Sequence, residues 1–202
     1  MQLPVLQYTG PVQLCANEAD LHAALNALRH ERVIGFDTET RPTFKKGQSH
    51  DPSLVQLAGS QTVYLFQLKR LNCTAVLTAL FDNNHICKTG VALGRDLADL
   101  QKVFPFKPAN FLDLGEVAKK VGYEQTGVRN LVGIFLGGRI TKGAQTSNWA
   151  APTLTPRQIT YAATDAWASR QLYLKFETLG LLAAAAKIPD RPPAKKAPPP
   201  SA

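Results

Sequence analysis

The chain has 202 residues, 45% of them hydrophobic, and 23 lysines and arginines against 15 acids give a formal net charge of +8. That size and apolar content suit one large domain, or one domain with a tail, and exclude a chain disordered throughout. The positive balance favours anionic partners such as nucleic acid, although residues 187–202 carry +3 of it through Lys187, Arg191, Lys195 and Lys196 against Asp190. Cys15, Cys73 and Cys87 are widely spaced and show neither a metal pattern nor a disulfide framework, as suits a reducing cytosol. The N-terminus lacks a signal-peptide pattern, and the longest apolar run, 179–186, is too short for a membrane span. A soluble, cytoplasmic protein is expected.

In chain order, Pro4, Gly10 and Pro11 predict irregular structure over residues 1–16. A helix is predicted over about 18–28, with Asn17 as N-cap and Leu21, Ala24, Leu25 and Leu28 along one face. Next, Val33-Ile34-Gly35-Phe36 is short and rich in β-branched and aromatic residues, which predicts a buried strand. It ends in Asp37-Thr38-Glu39-Thr40. Side chains at i and i+2 of a strand share a face, so Asp37 and Glu39 project together from the sheet rim. Carboxylates that close repel unless a positive group sits between them, and hard divalent cations take oxygen ligands. The plainer alternative is a solvated acidic turn.

A polar loop with Arg41, Lys45 and Lys46 follows. Residues 53–58 and 62–68 predict two strands around Gly59-Ser60-Gln61, making an antiparallel-leaning half-sheet with the first strand. Beyond them the pattern predicts a helix over 74–81, a short strand over 85–88 and a helix opening within 90–100. Residues 111–114 read as a strand or a helix entry, and 116–121 and 128–135 as helical. A long helix is predicted from 156 to 179, capped by Thr155 with Pro156 in its first position. This alternation predicts an α/β sheet covered by helices. The Pro/Ala/Lys-rich segment from Pro189 onward predicts a disordered or extended tail.

Two more places stand out. Asp96 lies at a helix start with Asp99 as a rival, and its plain role is a first-turn acid favoured by the helix dipole. Tyr161 and Asp165 are four apart and share a helix face lined by Ala162, Ala163 and Ala168. A buried aspartate there needs a partner or a metal; a simple Tyr–Asp hydrogen bond is the other possibility. His85 and the cysteines read as structural.

Asp37-Thr38-Glu39, the run from Gly90 to Asp96, and Tyr161-x-x-x-Asp165 together resemble the three ordered motifs of the DEDD 3′–5′ exonuclease superfamily. The tyrosine places the likeness in the tyrosine subgroup, with ribonuclease D and the Werner-syndrome exonuclease domain; no histidine directly precedes Asp165. Residues 41–47, Leu54-Val55-Gln56-Leu57 and Ser147-Asn148-Trp149 extend it, so that it spans roughly 15–178. The resemblance implies a ribonuclease H-like (DnaQ-like) α/β fold, a mixed sheet flanked by helices. In that frame 1–16 is an N-terminal extension, 17–182 the exonuclease domain and 183–202 a tail.

What the resemblance further implies is a site in which Asp37, Glu39, Asp96 and Asp165 hold two divalent cations, Mg²⁺ or Mn²⁺. Tyr161 would orient the attacking water, and nucleoside 5′-monophosphates would leave from the 3′ end. Thr38, Arg41, Lys45, Lys46, Lys142, Asn148 and Trp149 are the candidate substrate contacts, with Arg139 beside Lys142. The basic residues read equally well as solvated charges, and Trp149 fills a core edge more readily than it stacks on a base. The chain departs from many relatives at Thr40, where they carry an aromatic residue. A nucleic-acid-binding module without chemistry is the alternative function.

Overall fold

The computed structural model describes residues 3–43, 45 and 47–189. Its strands are β1 (Val12–Cys15), β2 (Val33–Thr40), β3 (Pro52–Ala58), β4 (Val63–Gln67), β5 (Cys87–Gly90) and β6 (Phe111–Asp113). They form one mixed sheet in the order β1-β4-β3-β2-β5-β6. The helices are α1 (Glu18–Leu28), α2 (Thr74–Phe81), α3 (Leu93–Val103), α4 (Leu114–Lys120), α5 (Val128–Leu131), α6 (Pro156–Thr178) and α7 (Leu181–Ala186). A π-helical turn, Val132–Leu136, continues α5. The expected α/β architecture is thus present, including the antiparallel β2-β3-β4 run.

β2 is central, antiparallel to β3 and parallel to β5. Of β2, only Val33–Gly35 pairs with β5, so the end of β2 that carries Asp37 and Glu39 runs past it, with β3 still bonded on the other side. A register shift between Glu39 and Thr40 closes that ladder, a kind of irregularity that bends a strand and re-aims its side chains.

The pleat of β2 divides two cores. Ile34 and Phe36 face a cluster with α1 and α2 in which Phe81, Phe104, Phe106 and Phe111 pack ring against ring. Gly35 faces α6, where an added Cβ would collide with the Ala166 carbonyl and crowd the Arg170 amide. Glycine at 35 and buried Ala162, Ala163 and Ala166 let α6 lie almost directly on the strand. Thr155 and Gln158 form a capping box at its start, with Pro156 in the first turn, fixing where the helix begins.

Three boundaries differ from the sequence reading. Residues 12–15, expected to be irregular, form edge strand β1, because parallel pairing with β4 and burial of Cys15 outweigh Pro11. The strand expected at 85–88 starts at Cys87, because the Asn83 side chain accepts from the His85 amide and holds a turn there. Residues 183–186, assigned to the tail, complete α7, whose Leu181, Leu182 and Ala185 cover the α4–α6 core. Phe44, Lys46 and the segment from Asp190 lie outside the described residues. Among the described residues no helix is long and apolar enough to cross a membrane.

Candidate active site

Strand alternation sends Asp37 and Glu39 to the α6 side of the sheet, and helical spacing turns Tyr161 and Asp165 toward them. One oxygen from each of Asp37, Glu39 and Asp165 lies within 4.8 Å of the others. Glu39 and Asp165 are buried, each 8% exposed, and Asp37 is half-buried. The cluster opens into a cleft of about 190 Å³ walled also by Val128, Arg129, Ile140, Gln145 and Tyr161. Tyr161 and Asp165 face a second, neighbouring cavity of about 340 Å³ that reaches Leu6, Gln7 and Arg157.

Asp96 arrives from the opposite side. Thr38 points away from Asp37 and Glu39, and its hydroxyl donates to Asp96 Oδ1 at 2.5 Å. Asp96 stands outside the three-carboxylate group, yet its charge still acts on Asp37 and Glu39. The rival Asp99 is engaged elsewhere, 2.6 Å from Lys102 and 3.4 Å from Arg95. The start of α3 is fixed by Asp113, whose carboxylate accepts from the Ala92 and Leu93 amides at 3.1 and 2.9 Å. The same carboxylate caps α4 through Gly115. Ala92 takes the left-handed conformation, φ 61°, to make this turn. The positioning role of Asp113 had no signature in the sequence, because it joins segments 20 residues apart.

Burial first, then the neighbouring carboxylates, push Asp37 and Glu39 well above the usual carboxylate range. Burial lifts Asp165 to about 6, while the Tyr161 hydroxyl and the Arg129 charge restrain the rise. Asp96 is raised by burial, and its Thr38 hydrogen bond opposes this. Tyr161 is raised by burial and by Asp165 and Glu39 beside it, so its phenol stays protonated. Three acids drawn together against their own repulsion, with the Asp96 charge acting on them from outside the group, are what a cation would relieve. The donor set, carboxylate oxygens without a soft ligand, fits a hard divalent metal. Gln56, opposite Asp37 in the β2–β3 register, adds a fully buried amide with no hydrogen-bond partner among the described residues.

The candidate substrate contacts are placed less uniformly. Arg41 is exposed and lines a cleft of about 240 Å³ with Asp96, Arg95 and His50. Lys45, Lys142 and Asn148 are exposed but do not line the carboxylate cleft, and Lys46 lies outside the described residues. Thr38 lines the carboxylate cleft, while its hydroxyl is committed to Asp96. One assignment needs correction. Trp149 is fully buried, its ring 5.9 Å from Tyr161, so it supports the tyrosine and has no face for a base. Arg139 also serves the fold: its backbone pairs with Pro4 and Leu6, and its Nε donates to the Leu3 carbonyl. Arg129 and Gln145, which do line the cleft, went unnoticed because neither belongs to a motif.

Comparison with known proteins accords with this geometry. A family model described as 3′–5′ exonuclease matches residues 12–180. The mouse bifunctional 3′–5′ exonuclease/ATP-dependent helicase WRN is 31% identical over 188 residues, covering 88% of this chain. Ribonuclease D of Gluconacetobacter diazotrophicus is 32% identical over 170 residues, covering 82% of this chain. The chain spans only 13% and 42% of those two proteins. The crystal structure of the Aedes aegypti Nibbler EXO domain superposes with a TM-score of 0.81 at 24% identity, covering 91% of this chain and 99% of that one, a shared fold. With its family match running from the edge strand β1 through α6, the chain belongs to the 3′–5′ exonuclease family.

Proposed function

We propose that the chain is a metal-dependent 3′–5′ exonuclease that hydrolyses nucleic acid from the 3′ end and releases nucleoside 5′-monophosphates. The observation that carries this reading is the convergence of Asp37, Glu39 and Asp165 within 4.8 Å, with Tyr161 on the same helix face as Asp165. Asp37, Glu39, Asp96 and Asp165 would hold two divalent cations, Mg²⁺ or Mn²⁺. Bound there, the cations would supply Lewis acidity at the phosphate and a water acidic enough to attack near neutral pH. The chain's own groups do the rest. Tyr161, beside Asp165 on the cleft wall, orients the attacking water through its hydroxyl. Thr38 holds Asp96 from the far side of the strand. Glu39, at the rim, meets the terminal 3′-hydroxyl, and Arg41 lies where the strand would pass Asp96. The domain proper extends from β1 through α7, and three buried free thiols suit a reducing, cytoplasmic setting.

The test is a time course on 5′-labelled single-stranded DNA and RNA of matched sequence, with Mg²⁺, with Mn²⁺ and with EDTA. We expect a ladder of products shortened one nucleotide at a time with metal and none with EDTA. Binding without shortening under either metal would overturn the reading in favour of a non-catalytic binding module.

A further inference from the structure

Arg129 supplies the single cation among the described residues that line the carboxylate cleft. It lies in α5, between Gly127 and the π-helical turn, while Leu131 and Val132 of the same stretch are buried and fix the other side of the helix in the core. Arg129 as a residue is half-buried, and one Nη donates to the Gln145 amide oxygen at 3.0 Å. Gln145 borders the same cleft, on the turn that leads to Trp149. A guanidinium carries five donors in a planar fork. Among the described residues Arg129 makes no other hydrogen bond and no ion pair. A cation braced by a neutral amide and aimed at a cleft is suited to an anionic ligand, and the planar fork matches phosphate.

We propose that Arg129 binds the phosphate of the terminal phosphodiester, and that Gln145 is the positioning residue that holds its guanidinium toward the cleft. The proposal rests on the exonuclease reading, and charge balance supports it. Four carboxylates against two divalent cations leave no net charge for Arg129 to offset. The entering phosphodiester then brings one negative charge to a wall whose own cation is Arg129. Lys45 and Lys142, by contrast, do not line this cleft.

The test compares wild type with Arg129→Ala, Arg129→Lys and Gln145→Ala in steady-state cleavage of a single-stranded oligonucleotide at several salt concentrations. Mn²⁺ binding is measured by calorimetry alongside. Arg129→Ala should raise KM about 10- to 100-fold, as expected for a charge-assisted contact. It should also flatten the slope of log(kcat/KM) against log[salt] by about 0.7, one phosphate's share on a single strand. Arg129→Lys should restore the slope but only part of KM, since it keeps the charge and loses the fork. Gln145→Ala should raise KM less and leave the slope in place. Mn²⁺ binding should hold or tighten in Arg129→Ala, because a positive charge has left the cluster. A wild-type KM and salt slope in Arg129→Ala overturn the proposal. So does a loss that comes with weakened Mn²⁺ binding, which assigns Arg129 to supporting the acids. If wild type shortens nothing, the exonuclease reading falls separately, and anisotropy of the labelled oligonucleotide still reads the Arg129 salt slope.

Discussion

Tyr161 and Trp149 touch each other, yet a substitution at each should read out differently. The Tyr161 hydroxyl lies beside Asp165 at the cleft, whereas the Trp149 ring is fully buried behind it. Tyr161→Phe should slow cleavage about 100-fold through loss of water orientation, with Mn²⁺ binding and thermal stability near wild type. Turnover at the wild-type rate in that variant would remove the hydroxyl from the mechanism. Trp149→Ala should cost about 3–5 kcal/mol of stability in denaturant titration, the usual cost of truncating a core aromatic. The milder Trp149→Phe should keep KM unchanged; a raised KM in a stable Trp149→Phe would reinstate a substrate contact.

At the level of elements, the site depends on how closely α6 lies on β2. Gly35 precedes Asp37 by two residues on the same face and meets the helix at Ala166, beside Asp165. Gly35→Ala should therefore force the helix off the strand, costing about 1–3 kcal/mol by overpacking. Because it also separates Asp165 from Asp37, activity should fall further than stability accounts for, about 100-fold for a displacement of the order of 1 Å. Melting temperature and kcat/KM of this variant, measured together, check the coupling. A variant as active as wild type would mean that the helix can shift without disturbing the acids. Glycine at 35 read in the sequence only as part of an apolar strand; its reason, the Ala166 carbonyl, lies more than a hundred residues away.

For the whole molecule, the acid cluster predicts how stability depends on pH and metal. Asp37, Glu39 and Asp165 all have folded pKa values above the unfolded carboxylate range near 4. The metal-free native state thus holds more protons than the unfolded chain above about pH 4. Its stability should be greatest below that pH with respect to these groups. It should decline as pH rises through the Asp165 value of about 6 and onward as Asp37 and Glu39 ionise. Asp99 and Glu177, lowered by Lys102 and Arg32, act in the opposite sense but below the ordinary carboxylate range, outside this window. We expect the melting temperature in EDTA to fall between pH 5 and pH 8. Mg²⁺ or Mn²⁺ should raise it more at pH 8 than at pH 5, with proton release on binding. A melting temperature in EDTA that climbs across that interval would contradict the cluster's electrostatics.

Much of this architecture was legible in the residues themselves. Period-two alternation put Asp37 and Glu39 on one face, four-residue spacing put Tyr161 and Asp165 on another, and Thr155-Pro156 marked where their helix starts. These are local regularities, carried by neighbours along the chain. Tertiary structure alone decided which of Asp96 and Asp99 is drawn to Thr38, that Trp149 is sealed in the core, and that residues 12–15 close the sheet edge. It also brought Arg129 of a four-residue helix to face acids from β2 and α6. Each of these depends on contacts between segments far apart in sequence, where side-chain chemistry is compatible with several partners and only packing selects one.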